Sequence, residues 1–469
     1  MRPDPQIAVI FGASGDLTRR KILPALYNLL RQDLLPERFA VLGYARSGWD
    51  DDRFRSHARE SLEAFSSETL DEETWKRFDE MLFYQSGPFD QADCFASLWE
   101  RLDAIDQERG TEGRRLFYAA TPPSLFPLIV ERVGECAPRP DTRIVIEKPF
   151  GRDLESAREL NDLIHEVFDE DQVYRIDHYL GKETVQNIVV LRFGNALFER
   201  VWNRDAIDHV QITVAEEVGI EGRGSYYTEA GALRDIVQNH LLQVLAFLTM
   251  EPPRSFSAAA VRDETLKVLR ALRPLDPAAA VRGQYDGFRD EDGVPPDSQA
   301  ETFIAARAEI DNWRWSGVPF YLRTGKRLPR RVTEISIRFR GVPVSLFESA
   351  GVERLTPDHL TIRIQPQEGI SLAFQAKKPG PGFEPKTVRM DFDYDESFGV
   401  DPADAYERLL QDALEGDGTL FTREDAVERA WQIVEPVLQH PEPVHRYAPG
   451  TWGPAAADDL IAPRAWHVH

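Results

Sequence analysis

The chain opens with an unbroken apolar run, Ile7-Ala-Val-Ile-Phe11, which stops at Gly12. A run without alternation predicts a strand covered on both faces, as in a parallel sheet. Gly12-Ala-Ser-Gly15 follows. A helical pattern then runs from about Leu17 to Leu30, and a second strand-like run spans Phe39 to Tyr44. Strand, glycine turn, helix and strand in this order predict a nucleotide-binding α/β domain. Arg115–Ala119 and Arg143–Ile146 are further strand candidates, stopped by Pro122-Pro123 and by Lys148-Pro149, since proline ends a strand at a sheet edge. The segments around 52–80 and 91–109 are charged and helix-like, and Gly151 to Phe168 reads as an amphipathic helix.

Beyond residues 170–180 the pattern changes. Val210–Val214, Glu334–Phe339, Leu360–Ile364 and Ser371–Phe374 alternate more and suggest a mixed or antiparallel sheet. Gly231 to Met250 predicts one helix that is apolar on nearly every side and therefore buried. Pro295-Pro296 and Pro379 to Pro385 mark surface loops. The expected architecture is an α/β dinucleotide-binding domain over 1–175, then a larger β+α domain with a mostly antiparallel sheet over 176–469.

The length of 469 residues agrees with two domains. Hydrophobic residues at 42% and charged residues at 29% fit a soluble globular chain. Lys and Arg number 56 against 79 Asp and Glu, a net charge of −23. So acidic a surface repels nucleic acid and anionic membranes, and neither is an expected partner. An anionic small-molecule ligand would need Lys, Arg and His gathered locally against that field. Cys94 and Cys136 are the only cysteines, which points to a reducing compartment. Met1 to Phe11 lacks the apolar length of a signal peptide, and Leu241–Met250 is too short to span a bilayer. A cytoplasmic protein is expected.

Several short motifs carry chemistry. Gly12-Ala13-Ser14-Gly15-Asp16-Leu17 can turn tightly and bring backbone against a pyrophosphate at a helix N-terminus, although it departs from G-x-G-x-x-G. Arg19, Arg20 and Lys21 trail it. The second strand runs into Tyr44-Ala45-Arg46-Ser47 with no acid before Asp50, and an arginine there suits the 2′-phosphate of NADP. Lys148, before Pro149, is held out of helical geometry and is able to point into a cleft. In Arg175-Ile-Asp-His-Tyr-Leu-Gly-Lys-Glu183, a helical conformation would put His178 and Lys182 on one face as a phosphate clamp. His240 lies on the buried helix among Asp235, Gln238, Asn239 and Gln243, polar groups that need partners or a task. Asp235 is five residues from His240, so the two do not face each other directly. Glu216 ends a strand, and Arg323 to Arg331 is a basic loop. No metal-ligand cluster is evident.

Taken in order, these motifs resemble those of the glucose-6-phosphate dehydrogenase family, from Ile7 to Gly450-Thr-Trp-Gly-Pro454. The nine residues around His178 are highly specific to it. The resemblance implies a Rossmann domain followed by a β+α domain, a homodimer or homotetramer, and a cis bond before Pro149. It implies oxidation of glucose 6-phosphate at C1 with NADP, and NAD as a weaker second acceptor. His240 would be the general base and Asp177 the carboxylate that orients it. His178, Tyr179 and Lys182 would bind the phosphate, Glu216 and Asp235 the sugar hydroxyls, and Lys326 and Arg331 would complete the substrate site. Gly12, Ala13, Ser14, Gly15, Asp16, Leu17, Thr18 and Arg19, with Lys21, Arg46 and Tyr118, match the cofactor-binding positions. Lys148 resembles the lysine that touches both ligands. Two other readings are a dehydrogenase of a different sugar and an inactive NADPH-sensing paralogue. The basic set His178, Lys182, Lys326 and Arg331 argues against the first, and the presence of His240, Asp177 and Lys182 against the second.

Overall fold

The Ile7–Phe11 run lies within β1 (Gln6–Phe11), which is buried at every position. It is central in a six-stranded sheet with β2 (Phe39–Ala45), β3 (Leu82–Ser86), β4 (Arg115–Ala119), β5 (Arg143–Ile146) and β6 (Val173–Arg175). The order is β3-β2-β1-β4-β5-β6, and every pairing is parallel. The order reverses at β1, so the loops leaving β1 and β4 diverge and open a crevice at the strands' carboxyl ends. The structure, a computed structural model, describes residues 2–66, 69–135, 139–348, 351–399 and 404–468, without the side chains at 92 and 93. Cys136 lies outside the described residues, and Cys94 is a free thiol.

The second sheet has nine strands: β7 (Ile207–Ala215), β8 (Ala280–Tyr285), β9 (Phe303–Glu309), β10 (Pro319–Gly325), β11 (Val332–Phe339), β12 (His359–Gln365), β13 (Gly369–Lys377), β14 (Pro385–Asp393) and β15 (His445–Tyr447). Their order is β14-β13-β12-β11-β7-β10-β9-β8-β15. Only β7 with β10 and β8 with β15 are parallel, so the sheet is mostly antiparallel, as expected. The Pro379–Pro385 loop is shorter than its prolines suggest. Pro385 already begins β14 and pairs with Lys377 of β13, and as the strand's first residue it costs the ladder nothing it could have donated.

The chain forms two compact units. The first holds Met1–Gly181, Pro253–Arg262 and Ala403–Glu428; the second holds Lys182–Pro252, Asp263–Pro402 and Arg429–His469. Among the described residues, no helix is long and apolar enough to cross a membrane.

Candidate active site

In the first unit, Gly12 sits at φ +88°, and a Cβ there would collide with the Ala120 carbonyl oxygen. Only glycine lets the turn after β1 pass so close to the chain leaving β4. The Gly12 N–H donates to the Tyr44 carbonyl at 2.8 Å, and the Thr18 hydroxyl donates back to the Gly12 carbonyl at 3.1 Å. Ser47 and Ser14 hydroxyls meet at 3.0 Å, which ties the glycine turn to the segment carrying exposed Arg46. After Leu17, Thr18–Ile22 winds as a π-helix before the α-helix Leu23–Arg31 begins. Arg19 lies 5.1 Å from the Phe65 ring, Asp16 accepts from Arg20, and Lys21 pairs with Asp404 at 2.6 Å.

Tyr118 is buried, and its hydroxyl donates to Glu147 Oε1 at 2.6 Å. The Tyr406 hydroxyl binds the same carboxylate. Burial raises the Glu147 pKa, and the hydrogen bond from Tyr118 and the Lys148 charge oppose that rise. Lys148 follows β5, is half-buried, and is joined to Pro149 by a cis bond, as the resemblance implies. The helix after it is Leu154–His165, shorter at both ends than the pattern suggested. Gly151 (φ +78°) breaks the approach, because a Cβ there would meet Ala157 N at 2.6 Å.

The segment around His178 corrects an expectation. Asp177 to Gly181 is a turn, not a helix: Leu180 N–H bonds the Asp177 carbonyl at 3.0 Å and Tyr179 N–H bonds Asp177 Oδ1 at 2.9 Å. The helix begins at Glu183, with Lys182 extended at its N-cap. His178 and Lys182 therefore share no helical face. The aspartate side chain captures the backbone two residues on, which competes with helix formation. The His178 ring lies parallel to Tyr406 at 6.5 Å, and Tyr179 is buried beside it.

In the second unit, strand pairing assembles a polar edge. Ala215 pairs with Gly325 and with Val332, and Thr333 with Gln365. Glu216, Lys326, Arg331 and Gln365 therefore emerge together at one end of four adjacent strands. Lys326 is buried, and its ammonium forms an ion pair with Glu216 and lies 5.3 Å from the Tyr227 ring centre. Gln365 Oε1 accepts from Lys182 Nζ at 3.0 Å and from Arg331 Nη2 at 3.4 Å. Of the adjacent arginines 330 and 331, the second is thus placed with Lys182.

The expected helix Gly231–Met250 is not uniform. Gly231 has φ +64°, Leu233–Leu241 is π-helical, and only Leu242–Thr249 is α-helical. Asp235 and His240, five apart, were expected not to face each other, but that holds for α-helical winding. Hydrogen bonding from i to i+5 puts residues five apart about one turn apart. His240 is fully buried, while Asp235 is half-buried and accepts from the Tyr226 hydroxyl at 3.4 Å.

Sequence reasoning missed Tyr406, Asp404, Gln365 and Tyr227. Each lies far along the chain from the group it meets, and no local spacing marks it. It also missed a group of possible ligands, His165, Glu170 and Glu424. His165 bridges the two carboxylates at 3.0 and 2.9 Å, and Arg175 binds Glu170 through both oxygens at 2.7 and 2.9 Å. That arginine already balances one of the two carboxylates.

A family profile described as the NAD-binding domain of glucose-6-phosphate dehydrogenase matches residues 9–187, and one described as the C-terminal domain of that enzyme matches 189–467. A glucose-6-phosphate 1-dehydrogenase of Aggregatibacter actinomycetemcomitans is 50% identical, over 99% of this chain and 98% of the relative. A crystal structure of the same-named protein from Mycobacterium avium is 41% identical with a TM-score of 0.90, covering 100% of this chain and 99% of that one. A glucose-6-phosphate dehydrogenase solved in complex with glucose 6-phosphate is 37% identical with a TM-score of 0.92, with the same coverage.

Proposed function

The chain belongs to the glucose-6-phosphate dehydrogenase family, and on that premise we propose that it oxidises D-glucose 6-phosphate at C1 to 6-phospho-D-glucono-1,5-lactone with NADP, the first step of the oxidative pentose phosphate pathway. The carrying observation is the sheet edge at which Glu216–Lys326 and Lys182–Gln365–Arg331 meet. In a chain of net charge −23, Lys182 and Arg331 converging on one neutral amide supply what a phosphorylated sugar requires.

His240 takes the C1 hydroxyl proton, a task for which an imidazole is the side chain most often used. Asp177 serves as its carboxylate and stabilises the imidazolium. Lys182, His178 and Tyr179 hold the phosphate, and Arg331 completes the site with Lys326. The Lys326 ammonium fixes the Glu216 carboxylate, which with Asp235 receives sugar hydroxyls. Binding energy from the remote phosphate positions C1 for reaction. Gly12 to Arg19, with Lys21, Arg46 and Tyr118, would hold the dinucleotide, and Lys148 would touch both ligands. The glycine turn after β1 leads directly into a helix N-terminus, where free backbone N–H groups favour a pyrophosphate. When bound, the dinucleotide supplies the hydride acceptor. Arg46 favours NADP, with NAD a weaker acceptor. The chain works in the cytoplasm as a homodimer or homotetramer.

The test is absorbance at the reduced-nicotinamide band after mixing protein with glucose 6-phosphate and NADP, beside NAD and unphosphorylated glucose. Signal only with the phosphorylated sugar, and stronger with NADP, is the expected result. No signal from folded protein that binds NADP would overturn the reading.

A further inference from the structure

The helix that carries Asp235 and His240 is wound in a rare way. Nine residues, Leu233–Leu241, are π-helical, whereas π winding normally occupies a single turn. Such a conformation persists only where its surroundings over-determine it. The surroundings here act at the two ends. At the N-terminus, Glu301 Oε1 accepts from Leu233 N–H at 3.0 Å, and the Glu301 backbone carbonyl accepts from Ala232 N–H at 2.9 Å. The other carboxylate oxygen is held by Arg282 at 2.8 and 3.2 Å. Both side chains are largely buried, at 6% and 11% exposure. Arg282 is itself fixed by the carbonyls of Gln299 and Glu442 at 2.7 and 2.9 Å. Gly231 is required at the entry because a Cβ there would strike the Glu301 carboxylate.

At the C-terminus the charge is reversed. Arg192 has no exposed surface, and it donates to the carbonyls of Leu248 at 2.9 Å and Phe247 at 3.4 Å. The Trp202 and Trp315 indoles donate to the Leu248 and Thr249 carbonyls, each at 2.8 Å. A carboxylate at the positive end and a guanidinium at the negative end are the arrangement the helix dipole favours. Helix ends leave free N–H and C=O groups that can fix the helix only if rigid partners take them up.

We propose that Glu301 and Arg192 are positioning residues for the reaction. They clamp the helix at both ends and hold its π winding, which sets the direction of His240 and Asp235 relative to each other. Loss of either end lets the segment relax toward α winding, where residues five apart turn to different sides. This rests on the reading of His240 as the base.

The test measures kcat and KM for both substrates, with melting temperatures, in full-length variants. Glu301→Gln keeps the side-chain volume but sets an amide against either Leu233 N–H or Arg282. It should lower kcat by about 10- to 100-fold, the range for a misplaced catalytic group, with a smaller change in KM for glucose 6-phosphate and none for NADP. Adding Arg282→Met lets the amide oxygen serve Leu233 N–H alone and should restore most of kcat. Asp393→Asn, which breaks the Arg363–Asp393 pair of the same unit, should lower the melting temperature and leave kcat unchanged. Parental turnover in folded Glu301→Gln overturns the proposal, as does no recovery in the double variant. If Glu301→Gln does not fold, Arg192→Lys decides, because it keeps the charge but loses the planar fork whose Nη1 donates to the Leu248 carbonyl and whose Nη2 donates to Glu199; normal turnover there overturns the clamp. An active His240→Asn would remove the base reading and the proposal together. An inactive His240→Asn beside a fully active Glu301→Gln would remove the proposal alone.

Discussion

His240 has no exposed surface. His240→Ala should reduce turnover by about 100-fold or more, with glucose 6-phosphate still bound, in steady-state kinetics with a binding titration. Lys182→Ala and Arg331→Ala each remove a cation from the Gln365 carbonyl. Each should raise KM for glucose 6-phosphate by about 10- to 100-fold, the worth of one charged hydrogen bond, and leave KM for NADP unchanged. An effect confined to NADP would place these residues in the wrong site. At this scale the sequence displayed the residue types but not their partners. Glu216 and Lys326 are 110 positions apart, and no spacing rule pairs them. His178 and Lys182 were read on one helical face, yet the Tyr179 N–H donating to the Asp177 carboxylate made a turn. That competition is invisible to a pattern that counts only positions.

The elements divide by what lines them. β1, β2, β4 and β5 are apolar runs and were legible from the sequence. β8 was not, because Arg282 and Gln284 are buried within it and the strand does not look like a core segment. Gln284 donates to the Ser298 and Ala300 carbonyls at 3.2 and 2.9 Å, so both polar side chains are satisfied by neighbours sequence reading had no means to supply. Gly231 to Met250 read as a single buried helix because a nearly all-round apolar pattern has no period to reveal its winding. The glycine turn is the opposite case. Gly12→Ala should destabilise the first unit by about 1–3 kcal/mol, the cost of a strained positive-φ residue, and weaken NADP binding. A thermal melt with a fluorescence titration of NADPH checks both. Parental values in both would mean the turn relaxes without harm.

Across the whole molecule, individual carboxylates make stability depend on pH, and they do so in opposite directions. Burial pushes the Asp412 carboxyl up to about 7, and Arg408 only partly opposes it. Its pKa in the unfolded chain is about 4. Between those values the folded chain keeps a proton that the unfolded chain has released. Asp412 therefore stabilises the fold at low pH, and that contribution is lost as pH rises from about 4 through about 7. Asp412→Asn should raise the melting temperature at pH 8 more than at pH 5; an equal change at both would show that Asp412 is ionised in the fold. Asp208 acts oppositely: its bonds to Arg464, then His209, hold it down to about 2, so its contribution is lost only below about pH 4.

By itself the sequence determined the class of fold, the glycine turn, the buried helix and the motifs that name the family. These are local, because a run of side chains and a short spacing are enough to state each one. Tertiary structure alone decided which strand ends share an edge, that Glu216 is neutralised by Lys326, that Tyr406 reaches Glu147, and that the helix bearing His240 is wound in π form. Each of these depends on groups far apart in sequence being brought to hydrogen-bond distance. It is the burial of a charge or an open backbone group that makes such a pairing obligatory.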